Sequence, residues 1–103
     1  MTVVEVIELK TTEIYFDEIW NGNKLFEMRN AIDNPEKHFE KGKILHLREH
    51  NLERGTYTGR EIFTNVTYMM VGPTFGLAPG WCLMSLNPKM LKIRKEDPAV
   101  IKA

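Results

Sequence analysis

The spacing of apolar and polar positions changes several times along the chain, and each change marks an element. Val3, Val4, Val6, Ile7 and Leu9 form a β-branched run that ends in Lys10-Thr11 and predicts a first strand. Thr11 or Thr12 can then cap a helix, with Glu13 in its first turn, where the helix dipole favours negative charge. Ile14, Tyr15, Phe16, Ile19 and Trp20 follow helical spacing and give one apolar stripe. Asn21-Gly22 ends it, because glycine accepts the left-handed conformation of a helix stop. Lys24 to Asn30 alternates and reads as a strand, with Phe26 and Met28 on one face and Leu25, Glu27 and Arg29 on the other.

Asp33-Asn34-Pro35-Glu36 is a turn signal inside a polar loop that reaches Lys43. Ile44 to His50 predicts a third strand and Tyr57 to Met70 a long fourth one, bent near Gly59, the two forming a large hairpin around Arg54-Gly55. Residues 72–80 hold three Gly and two Pro and form an irregular loop. Trp81 to Leu86 is a further strand, Asn87-Pro88 closes the domain, and Met90, Leu91 and Ile93 suit a short helix or strand packed outside it. The order β-α-β-β-β-β predicts an α+β, mainly β domain. Five to six strands curl into a small sheet or barrel over residues 1–87, with the one early helix at the barrel end, and closure removes exposed edges. Residues 88–103 read as a C-terminal extension.

Composition narrows the class. A chain of 103 residues is long enough for one core, and 43% hydrophobic with 27% charged is an ordinary globular composition. The single Cys82 excludes an internal disulfide or a paired-cysteine metal or redox site, and its apolar strand predicts a buried, inert thiol. Three scattered His give no metal-ligand pattern, although His46 and His50 would share one face of the third strand. No metal and no cofactor are expected. There is no long apolar run and no secretory pattern at Met1-Thr2-Val3-Val4-Glu5, so a cytoplasmic protein without membrane contact is expected. The net charge of zero hides an asymmetry: residues 1–87 carry nine Lys and Arg against twelve Asp and Glu, and residues 88–103 carry five against two. A polyanion ligand must therefore be met by a local groove, helped by the basic end, and not by bulk charge.

The candidate chemistry concentrates in Gly22-Asn23-Lys24-Leu25-Phe26-Glu27-Met28-Arg29, which reads G-x-K-x-x-E-x-R after a helix and into a strand. Lys24 offers a mobile point charge for a phosphate or a base oxygen, and Arg29 can hold a phosphate or a guanine edge bidentately. Glu27 can accept from an exocyclic amine or orient the two cations, and Gly22 would bring two backbones close. The bland alternative is a solvated ion-pair ladder worth about 0–1 kcal/mol per pair.

This motif resembles the signature of the ASCH (activating signal cointegrator homology) domain, a branch of the PUA-like β-barrel superfamily. Ile7-Glu8-Leu9-Lys10, Leu47-Arg48-Glu49, Tyr57-Thr58-Gly59-Arg60-Glu61-Ile62, Val66-Thr67-Tyr68 and Phe75-Gly76-Leu77-Ala78-Pro79-Gly80-Trp81 look like a small bacterial and phage branch of it, over about residues 5–87. The resemblance implies a PUA-like barrel and an RNA or nucleotide-like ligand in the cleft between helix and barrel. It also carries a rival reading, a small amidohydrolase acting on a modified nucleoside such as N4-acetylcytidine. In that reading Lys24 is base or nucleophile, assisted by Glu27 or Glu61. The amidohydrolase subgroup has Thr where this chain has Glu27, and members of the small branch often have His where this chain has Ile7.

Further candidates lie outside the motif. Arg48 ends a strand and could line the same cleft, and Lys10 stands just before the helix, where anions gather. Tyr68 and Trp81 are candidates for stacking on a base. The Gly72–Gly80 loop, with Phe75 and Leu77, would serve a protein partner if the domain is a phage or mobile-element protein that binds a host component.

Overall fold

The computed structural model describes residues 5–95. Strand β1 (Val6–Thr12) runs directly into helix α1 (Glu13–Trp20), followed by β2 (Phe26–Asn30), a single 3-10 turn at Pro35–Lys37, β3 (Ile44–Asn51), β4 (Thr56–Val71), β5 (Trp81–Leu86) and β6 (Leu91–Arg94). Among the described residues the domain is mainly β with one α-helix, as the pattern predicts. Val3 and Val4, at the start of the expected first strand, and residues 96–103 of the basic end lie outside the described residues.

The β-branched alternation in β1 turns Ile7, Leu9 and Thr11 inward. Thr12 occupies the helix N-cap position without a capping bond from its side chain, and the first-turn Glu13 accepts a bond from Asn51 Nδ2 at its Oε1. Helix α1 buries Phe16 and Ile19 completely, on top of Leu9, Leu45, Leu47, Ile62, Val66, Met84 and Leu86. Trp20 packs at the edge of this core, and Phe39 reaches it from the loop before β3.

The six strands form one mixed sheet in the order β1-β3-β4-β5-β2, with β6 paired to β4. β1 is parallel to β3, and the other pairings are antiparallel. The long β4 belongs to both halves: residues up to Asn65 pair with β3, and residues from Val66 onward pair with β5. Bulges between Arg48 and His50 and between Val66 and Tyr68 bend the sheet, as bulges do. The first of them lets Glu49 and His50 both be buried, so His46 and His50 do not keep the simple same-face relation that their spacing predicts.

Two glycines carry close approaches of one backbone segment to another. At Gly59 (φ +102°) a Cβ would lie 2.3 Å from the Lys95 carbonyl oxygen, and the Lys95 amide bonds Gly59 O at 2.7 Å. At Gly72 a Cβ would lie 2.0 Å from the Ala78 carbonyl oxygen. Gly22, expected to bring backbones together, instead has open space around it; its φ of +80° is what the turn needs. β6 continues the sheet beyond Pro88, because residues 91–94 pair with Phe63 to Arg60.

Curling brings β1 and β2, the two ends of the strand path, face to face without a backbone ladder between them among the described residues. A side chain spans that gap: Arg29 Nη2 on β2 reaches Lys10 O at 3.3 Å and Thr11 Oγ1 at 3.4 Å on β1.

Candidate nucleotide-binding hollow

The gap between the free edges of β1 and β2 opens into a hollow of about 590 Å³, lined by Lys10, Tyr15, Lys24, Glu27, Arg29 and Trp81 among others. Its construction starts at the end of α1. The amides of Asn23 and Lys24 both bond Glu18 O, at 2.9 and 3.0 Å, so the turn after Gly22 delivers Lys24 at a fixed point beside the helix. β2 then places Glu27 and Arg29 two residues apart on the inward face, while Phe26 and Met28 are exposed. This inverts the usual arrangement, in which the apolar face of a strand is the buried one.

Glu27 is 3% exposed, and a carboxylate is not left at such a position without partners. It has two: Lys24 Nζ lies 3.1 Å from Oε1, and Arg29 Nε lies 2.9 Å from Oε2. Both oxygens are engaged, so Glu27 acts by holding the two cations, and an exocyclic amine would have to compete with them. Lys24 also donates to Phe26 O at 2.7 Å, which leaves one of its three donors for the hollow. Arg29 engages Nε and Nη2, and its Nη1 donors make no protein bond among the described residues. The triad therefore presents hydrogen-bond donors and net positive charge, and it suits a ligand rich in acceptors.

The walls are partly aromatic. Tyr15, Phe26 and Trp81 line the hollow, and the Lys24 ammonium stands 4.6 Å from the Phe26 ring centroid and 5.9 Å from that of Tyr15. The rim beyond β2 is shaped by Asn30, whose Oδ1 accepts from the amides of Ile32 at 2.8 Å and Asp33 at 3.2 Å. That turn sets Asp33 and Asn34 at the mouth. Asn30, Asn34, Thr11, Thr12 and Tyr15 line the hollow without having been singled out from sequence. The turn formers Asn30, Asp33 and Asn34 were the available signal for the rim.

Of the residues proposed from sequence, Lys10, Lys24, Glu27, Arg29 and Trp81 meet around this hollow, and Arg48, Glu61 and Tyr68 do not line it. Arg48 packs its guanidinium 3.7 Å from the Tyr57 ring centroid and lies 3.6 Å from Glu8. Glu61 is buried on β4, bonded to His46 Nε2 and, at 3.0 Å, to Lys95 Nζ. Burial pushes the Glu61 carboxyl up, but the bonds from His46 and Lys95 and their charges outweigh it and hold it below the ordinary value. The combination of Lys24 with Glu61 is therefore not assembled. Glu49 is similarly held: burial raises its carboxyl, and the Arg60 and Thr58 bonds, with the charges of Arg60 and Arg94, bring it below the ordinary value. Arg60 grips it with two bonds, at 2.9 and 2.6 Å. Cys82 is buried and its thiol is pushed up by that burial, as a buried cysteine should be. Among the described residues no three His, Cys, Asp or Glu side chains are grouped as metal ligands, and no helix is long and apolar enough to cross a membrane.

Fold and site together define a small curled-sheet domain with one helix and a donor-lined hollow between two strand edges. Residues 6–86 match the family described as Domain of unknown function (DUF3850), and the chain belongs to that family. A comparison with curated proteins finds no match.

Proposed function

We propose that the domain is a nucleic-acid-binding module, most simply for RNA, and that the hollow takes one nucleotide through its phosphate or the acceptor edge of its base. The observation that carries this reading is the pair of cations, Lys24 and Arg29, fixed by one buried carboxylate at the mouth of an aromatic-walled hollow of about 590 Å³. That volume falls within the range of small-molecule sites, roughly 300–1,000 Å³. The donors left free match phosphate oxygens or base carbonyls, and the aromatic walls match a flat ring. The resemblance of the G-x-K-x-x-E-x-R segment to the ASCH signature supports the same ligand class. Lys24 gives two of its protons to protein acceptors and meets the hollow as a donor, which favours binding over a role as nucleophile.

The test is titration of single-stranded RNA oligonucleotides into the wild type and the Lys24→Ala/Arg29→Ala double variant at several salt concentrations. The expected result is a large loss of affinity and a shallower salt dependence, by about two charges' worth of slope. Unchanged binding with an unchanged slope overturns the assignment of the hollow.

A further inference from the structure

The outward face of the β2-β5-β4 half of the sheet carries side chains that a lone soluble sheet face would not be expected to show. Cross-strand register sets Phe26 opposite Ser85 and Ser85 opposite Tyr68, so these three form one row. The neighbouring row is Met28, Leu83 and Met70. Phe26, Met28 and Tyr68 are exposed, at 42%, 44% and 59%. The opposite residues of the same strands, Glu27, Cys82, Met84 and Leu86, are buried, so the face is the outer one.

The row has a particular shape. Phe26 and Tyr68 flank a small serine, two strand spacings apart, or about 9.6 Å between backbones. A flat ring held between two others at van der Waals distance needs about 7 Å. The Lys24 ammonium lies 4.6 Å from the Phe26 ring centroid, so a positive charge stands at one side of the row. Phe26, Met28 and Trp81 also line the hollow, which makes hollow and face one continuous surface across the free edge of β2.

We propose that this face is the second subsite of a single-stranded nucleic acid, with the nucleotide next to the one in the hollow inserting its base between Phe26 and Tyr68 over Ser85. The inference rests on the hollow being a nucleotide site. It deepens that reading by making the substrate a strand of at least two nucleotides and by giving a role to Tyr68, which the hollow does not use.

Calorimetric titration with AMP and with the single-stranded tetranucleotide rA4 tests it. Wild type should bind rA4 at least about ten-fold more tightly than AMP, the scale of one stacked base. Tyr68→Ala should lose that gain and keep the AMP affinity, and Tyr68→Phe, which preserves the ring, should keep both. Tyr68 is largely exposed, so both variants should melt like the wild type. Equal affinity of the wild type for AMP and rA4 overturns the slot. So does a Tyr68→Ala protein that binds rA4 like the wild type while Lys24→Ala/Arg29→Ala does not, an outcome that leaves the hollow standing. AMP affinity unchanged in that double variant overturns the hollow itself. Sedimentation of the free proteins separates the remaining occupant: a wild-type dimer dissociated by Tyr68→Ala, with rA4 affinity unchanged, gives the face to a second copy and overturns the proposal.

Discussion

Replacing Glu27 with glutamine sets two physical accounts of the hollow against each other. The substitution keeps the side-chain shape and removes one negative charge, taking the formal net charge from zero to +1. If cations in the hollow acted only through bulk charge, a polyanion would bind more tightly to the variant. The geometry predicts the reverse, because Glu27 holds Lys24 at 3.1 Å and Arg29 at 2.9 Å. Each charge-assisted bond contributes about 1.5–3 kcal/mol, so complete loss of both would cost about 3–6 kcal/mol. The cost should be smaller, since the Lys24 and Arg29 side chains keep 17% and 24% exposure and can turn to water, and the glutamine oxygen still accepts one bond. About 2 kcal/mol remains, which for a domain of this size lowers the melting temperature by about 8–16 °C. Calorimetric melting and RNA titration at fixed salt provide the two readouts, with about ten-fold weaker binding expected at a temperature where the variant is folded. Tighter or equal binding, or a melting temperature within about 2 °C of wild type, refutes the view that the carboxylate positions the cations.

Other expectations follow from contacts away from the hollow. Gly59→Ala places a Cβ 2.3 Å from the Lys95 carbonyl at a φ of +102°, so β6 must lift from β4 and the domain loses about 1–3 kcal/mol from strain alone. Amide exchange over residues 91–94 should accelerate sharply, and unchanged protection there would show that β6 does not depend on this contact. Acid should destabilise the fold through Glu49 and Glu61. Both carboxyls are held below the ordinary glutamate value near 4.5, so each contributes stability that is complete above that pH and is lost as pH falls through the folded-state value. The urea midpoint should stay level from pH 7 to about 5 and drop below about 4.5; a midpoint level down to pH 3 contradicts the assignment.

Much of the architecture was legible in local pattern. The alternation in β1, the punctuated helix from Glu13 to Trp20, and the strands around Ile44–Asn51, Thr56–Val71 and Trp81–Leu86 follow from side-chain period and turn chemistry, both of which are properties of neighbouring residues. The G-x-K-x-x-E-x-R spacing likewise places Glu27 and Arg29 on one face of a strand whatever the fold, because successive side chains alternate. Which face that would be was not local. Amphipathic pattern would turn Phe26 and Met28 inward; the sheet buries Glu27 instead, because Lys24 arrives from the helix turn and Arg29 bridges to β1. Tertiary structure alone separated Glu61, Arg48 and Tyr68 from the hollow, and it alone set Tyr68 across Ser85 from Phe26. Residues 42 positions apart in the chain come to flank one serine only through strand register, which depends on how the whole sheet curls and bulges, and no window of sequence encodes that.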